Sequence, residues 1–115
     1  MRFRFAADRI DPDTGRSEAM IVTREQYAAW QQRWDDLIQS TSLHSRDWVS
    51  PVASFLDQIV RECPDTNVTG HARDALRLSK AFKDAKRDAK PRYEGFLYSS
   101  HRLRIAIGKH LMDRP

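Results

Sequence analysis

Tyr93-Glu-Gly-Phe-Leu-Tyr-Ser-Ser-His-Arg-Leu-Arg-Ile-Ala-Ile-Gly108 is the stretch whose reading decides the fold class. From Arg102 onward it alternates. Leu103, Ile105 and Ile107 fall to one side and Arg102, Arg104 and Ala106 to the other, as in a half-buried strand rich in β-branched residues. At helical spacing, Leu103, Ala106, Ile107, His110 and Leu111 share a face instead, with Ser99 or Ser100 as the cap. That second reading exposes Ile105, puts Gly108 mid-helix and sets Arg102 near a helix N-terminus, where cations are disfavoured. The strand is therefore the preferred reading of 93–112, with a fourth helix as the alternative.

Working outward, the Arg-Leu-Arg-Ile pattern matches Arg2-Phe-Arg-Phe near the N-terminus. There, residues 2–6 alternate, Asp11-Pro12-Asp13-Thr14-Gly15 supplies turn chemistry, and Met20-Ile21-Val22 is a short β-prone run. An N-terminal β-hairpin is expected. If it shares a sheet with the C-terminal strand, Arg2, Arg4, Arg102 and Arg104 line the outer face and the apolar set covers the helices. The expected fold class is α+β: a small two-layer domain with the hairpin and C-terminal strand packed on three helices.

The three helices have their own signals. Thr23 with Gln26 three residues on reads as a capping box, followed by Tyr27, Trp30, Trp34, Leu37 and Ile38 on one face. Ser50-Pro51 opens a second helix with Val52, Phe55, Leu56, Ile59 and Val60 as its stripe, stopped by Pro64. Leu43 and Trp48 are expected to pin the loop between them. Thr69 or Gly70 opens the third, expected to run to about Ala89 before Lys90-Pro91. On it Ala75, Leu78, Phe82, Ala85 and Ala89 fall within about 80°, and Arg73, Arg77, Lys80, Lys83, Arg87 and Lys90 within about 140° on the other side. Asp84 and Asp88 share that basic side and are expected to pair with Lys80, Lys83 and Arg87, neutralising part of it.

At 115 residues the chain is the size of one domain, expected over 1–115, and long enough to bury a core without staples. A lone cysteine, Cys63, and an N-terminus without signal-peptide character point to a reducing cytoplasm. No apolar run is long enough to span a membrane. The net charge of +4 is unevenly placed. Residues 1–57 carry seven Lys/Arg against nine Asp/Glu, whereas 58–115 carry thirteen against seven. A basic half suits a polyanionic partner.

Catalytic patterns are mostly missing. His44, His71, His101 and His110 stand apart with no metal-ligand spacing, and the four glycines are isolated, so no metal, cofactor or phosphate loop is expected. One constellation remains: His101 with Tyr98, Arg102 and Arg104 carries the acid/base and cationic groups of a small ribonuclease toxin, but a second acid/base partner is missing. The joint from Cys63 to Gly70 is about eight residues, too long for a helix-turn-helix.

The leading expectation is a non-catalytic basic binding protein. It contacts nucleic acid or a nucleoprotein complex through Arg73, Arg77, Lys80, Lys83, Arg87, Lys90, Arg102 and Arg104. The alternative, drawn from small size and missing motifs, is an inhibitor or immunity protein of phage or mobile-element type, anti-CRISPR proteins included. Such a protein occludes a larger protein and depends on anchors such as Trp48 or Tyr98. The hairpin edge also offers a surface for a homodimer.

Overall fold

In a computed structural model describing residues 21–112, the chain forms four helices and a closing 3₁₀ turn. They are α1 (Arg24–Gln39), α2 (Val49–Glu62), α3 (Thr66–Asp84), α4 (Ala89–Gly108) and the turn Lys109–Leu111. No strand occurs among the described residues, so the α+β expectation is overturned and the described part of the domain is all-α, with the C-terminal fourth helix of the alternative reading. Residues 2–6 and the turn after them lie outside the described residues. Ile21 and Val22 belong to no strand.

The deciding stretch is helical because its apolar stripe starts earlier than Leu103. Phe96, Ser99, Ser100, Leu103, Ala106 and Ile107 are all buried, at offsets of 3, 4, 7, 10 and 11 from Phe96. Two serines hide the stripe from a hydropathy reading. Ser100 Oγ donates to its own helix at Phe96 O (2.8 Å), so its burial leaves the hydroxyl satisfied. The objections to a helix also fall. α4 begins at Ala89, so Arg102 is more than three turns from the N-terminus, and Gly108 is the last helical residue. Ile105 is 48% exposed, the cost that the helical reading foresaw.

Pro91 explains the late start that the sequence suggests. It stands third in α4, where a backbone N–H has no intrahelical partner and the loss of one costs nothing. Pro51 holds the same position in α2. One proline was read as a start and the other as a stop, although both sit inside a first turn.

α1 and α2 match their patterns. Thr23 Oγ1 accepts the Gln26 N–H (3.1 Å), and Tyr27, Trp30, Trp34 and Leu37 are buried. Val49, Val52, Phe55, Leu56 and Ile59 form the buried stripe of α2. α3 differs at both ends. It opens at Thr66, where Asp65 Oδ1 accepts the N–H groups of Asn67 (2.8 Å) and Val68 (3.4 Å), leaving a joint of residues 63–65 only. It closes at Asp84, with Ala85 extended (ψ 138°).

α4 packs most extensively on α3 and also on α1, while α2 lies against α3. Alanines and serines at the α3 and α4 contacts (Ala72, Ala75, Ser79, Ser99, Ser100) let the backbones approach. Aromatic rings fill the wider gaps: Trp34 stacks with Phe55 (5.8 Å) and Trp48 with Phe82 (5.3 Å), while Phe96 meets Trp48 at a tilt (5.0 Å).

Candidate functional site

α4 has grooves on both flanks and a ridge between them. A helical register turns neighbours two apart by about 200°, so Arg102 and Arg104 point to opposite sides. The shared face that a strand would give them does not exist.

On the α1 flank, Arg104 Nε and Nη2 donate to the two Asp35 oxygens at 2.7 and 3.2 Å. That hydrogen bond and charge hold the guanidinium above its ordinary value. Beneath the pair, Trp34 Nε1 donates to Ser100 O (3.3 Å), tying α1 to α4 through a fully buried indole. The groove, about 340 Å³, is floored by Trp34, Ile38 and Leu97, and its one arginine already has a carboxylate.

On the α3 flank, a groove of about 310 Å³ is lined by His71 of α3, by Tyr98, His101, Arg102 and Ile105 of α4, and by Lys109 of the closing turn. Among the described residues, no carboxylate lines it. Arg102 Nη1 donates to the Tyr98 hydroxyl (2.8 Å), and its guanidinium stands 5.5 Å from that ring's centroid. His101 borders both grooves and so caps the ridge. Tyr98 is 62% exposed, and with Ile105 it forms an apolar pair two turns apart.

The other expected contacts scatter. Arg73, Arg77, Lys80 and Lys83 are exposed on α3. Arg77 Nη2 lies 3.7 Å from Asp74 Oδ1. Arg87 falls in the 85–88 joint and Lys90 in the first turn of α4, both exposed. The early end of α3 thus separates them from the row. Asp88 binds Arg92 (2.8 Å), a residue one turn along α4. Trp48 faces inward at 4% exposure, with Nε1 donating to Ser42 O (2.9 Å), so its ring is held in the core. Of the two named anchors, Tyr98 is the surface one.

A polar cluster ties the C-terminal turn down. His110 Nε2 pairs with Asp65 Oδ2 (2.5 Å), and its ring stacks on Tyr27 (3.8 Å, 3°). Burial pushes the Asp65 carboxyl up, but hydrogen bonds from His110, Asn67 and Val68 outweigh it and hold the group below its ordinary value. Tyr27, whose hydroxyl lies 3.7 Å from Cys63 Sγ, is pushed well above its own ordinary value, chiefly by burial. This makes Asp65 both the cap of α3 and the anchor of the closing turn. The N-cap preference of an Asp before Thr66-Asn67 was the signal for the first role. Nothing local signals the second.

His71, Ile105 and Lys109 are among the groove residues that sequence reasoning missed. They lie up to 38 positions apart, and only the antiparallel return of α4 along α3 brings them together. Among the described residues, no group of three or more His, Cys, Asp or Glu is placed to hold a metal ion, and no helix is long and apolar enough to cross a membrane. Compared with protein families, curated proteins and solved structures, the chain matches none.

Proposed function

We propose that the protein is a non-catalytic binding protein that covers part of a larger protein, with the exposed ridge of α4 as its contact face. The observation that carries this reading is the surface trio Tyr98, Arg102 and Ile105. Two large side chains are left in solvent within two turns, and an arginine between them is steadied by the tyrosine hydroxyl. Tyr and Arg are the residue types that dominate binding energy at interfaces, and exposed apolar side chains beside them supply the area. Arg102, Lys109 and the imidazoles make the partner's matching face acidic.

The test places a photo-crosslinking side chain at position 98 or 105 and, as a control, at position 80 on the basic face. A single acidic protein captured from the ridge positions alone, and displaced by added wild type but not by Ile105→Asp, supports the reading. Capture from position 80, or none from the ridge, overturns it.

Nucleic acid is the second reading, and a specific observation favours it. α2 and α3 are joined by only three residues, the joint length of a helix-turn-helix, and α3 exposes Arg73, Arg77, Lys80 and Lys83. This removes the length objection raised from sequence. Anisotropy of labelled DNA and RNA across salt distinguishes the two readings. A steep log–log slope that disappears in the folded Arg77→Glu/Lys80→Glu/Lys83→Glu variant places function on α3. Flat traces at low salt leave the ridge.

A further inference from the structure

The groove between α3 and α4 has the chemistry of an anion site, and this goes beyond contact with a protein and stands without it. Apart from the Tyr98 phenol, its titratable lining among the described residues is basic: His71, His101, Arg102 and Lys109. The carboxylates on the neighbouring elements lie outside the lining. Asp65 is taken by His110 and Asp74 lies beside Arg77, while Glu94 stands one turn before Tyr98 on α4. On the opposite flank of the same helix, Arg104 has a bidentate carboxylate. Among the described residues, the partner of Arg102 is a phenol. A guanidinium satisfied by a neutral oxygen keeps most of its five donors for an incoming oxyanion, and charge-assisted bonds of that kind are the strong ones.

The remaining lining is suited to an organic group. Ile105 and Ala106 give the groove an apolar wall, and the Tyr98 ring stands at its edge. Asn67 adds an amide with both donor and acceptor. A volume of about 310 Å³ is at the small end of ligand sites and admits one compact molecule.

We infer that this groove binds a small phosphate ester of the nucleoside monophosphate class. The phosphate lies among Arg102, His71 and Lys109, and the ring system lies against Ile105 and Tyr98. Arg102 and Tyr98 also belong to the proposed protein-contact ridge, so ligand and partner compete for them, each weakening the other by the same factor.

The experiment is a ¹H–¹⁵N correlation titration of the full chain with adenosine monophosphate, inorganic phosphate, adenosine and a short RNA oligonucleotide, each alone. No protein partner is needed, so its failure is separate from failure of the crosslinking test. Saturable shifts confined to groove residues, with adenosine monophosphate tighter than phosphate or adenosine, are the expected result. Arg102→Gln weakens binding about tenfold or more, and His71→Ala several-fold. Arg61→Gln, on α2 and outside the groove, leaves it unchanged. Four outcomes overturn the inference: no shifts at millimolar ligand, equal affinity for inorganic phosphate, equal weakening by Arg61→Gln, or RNA binding far tighter than the mononucleotide. The last would make the groove part of a strand-binding surface.

Discussion

The two flanks of α4 carry the same residue type to different ends. Arg104 is locked to Asp35 above a buried Trp34, and that side holds the helix in the fold. Arg102, two residues earlier, meets Tyr98 in a groove where none of the described lining residues is an acid, and no such lock holds that side. Counting basic residues therefore says little about where a polyanion or acidic partner sits. What matters is which cations are left without a carboxylate once the helices pack.

The largest expected effect tests the holding flank. Trp34→Ala removes a fully buried ring and the bond to Ser100 O, and is expected to cost about 3–5 kcal/mol by denaturant unfolding, whereas Tyr98→Ala on the open side costs less than about 1. Comparable losses would mean that the ridge is structural and would break the contrast.

Asp65 comes next. Asp65→Ala removes the α3 cap and the partner of His110, and is expected to cost about 1–2 kcal/mol near neutral pH. Because the carboxyl is held below its ordinary value, this contribution is complete above the unfolded value, about 4, and is lost as pH falls through the lower folded one. The stability gap between wild type and variant should thus shrink as pH falls below about 4. A gap that widens in acid contradicts the assignment.

The Asp35–Arg104 pair is exposed enough for water and salt to screen it. A double-mutant cycle with Asp35→Ala and Arg104→Ala should give about 0.2–1 kcal/mol of coupling, falling as salt rises. The smallest effect sharpens the comparison most. Arg102→Gln is expected to change stability by less than about 0.5 kcal/mol while reducing ligand or partner binding. A stability loss equal to that of Arg104→Ala would show that both arginines serve the fold.

The helices with large apolar side chains were legible. Thr23 and the aromatic face of α1, and Phe55, Leu56 and Ile59 of α2, announce themselves by spacing. α4 was not, for three local reasons. Its buried stripe includes Ser99 and Ser100, its exposed face includes Ile105, and Pro91 sits where a proline can open a helix as readily as follow one. The site suffered from the same misreading. With a strand at 102–107, Arg102 and Arg104 share a face; with a helix, they part. Trp48 and Tyr98 were both named as contact anchors; Tyr98 is on the surface, whereas Trp48 packs between Phe82 and Phe96 and pins the loop before α2, the other role expected of it.

By itself the sequence determined the first two helices, the basic excess of the second half and the lack of recognisable metal or cofactor motifs, because spacing, composition and motif are local properties of the chain. Only the tertiary structure decided that 93–108 is a helix, that Arg104 is held and Arg102 open, and that His71 meets His101 and Lys109 in one groove. The physical reason is that burial and pairing are settled by partners distant in sequence. Asp35 lies 69 residues from Arg104 and Asp65 lies 45 from His110, and no local pattern encodes either meeting.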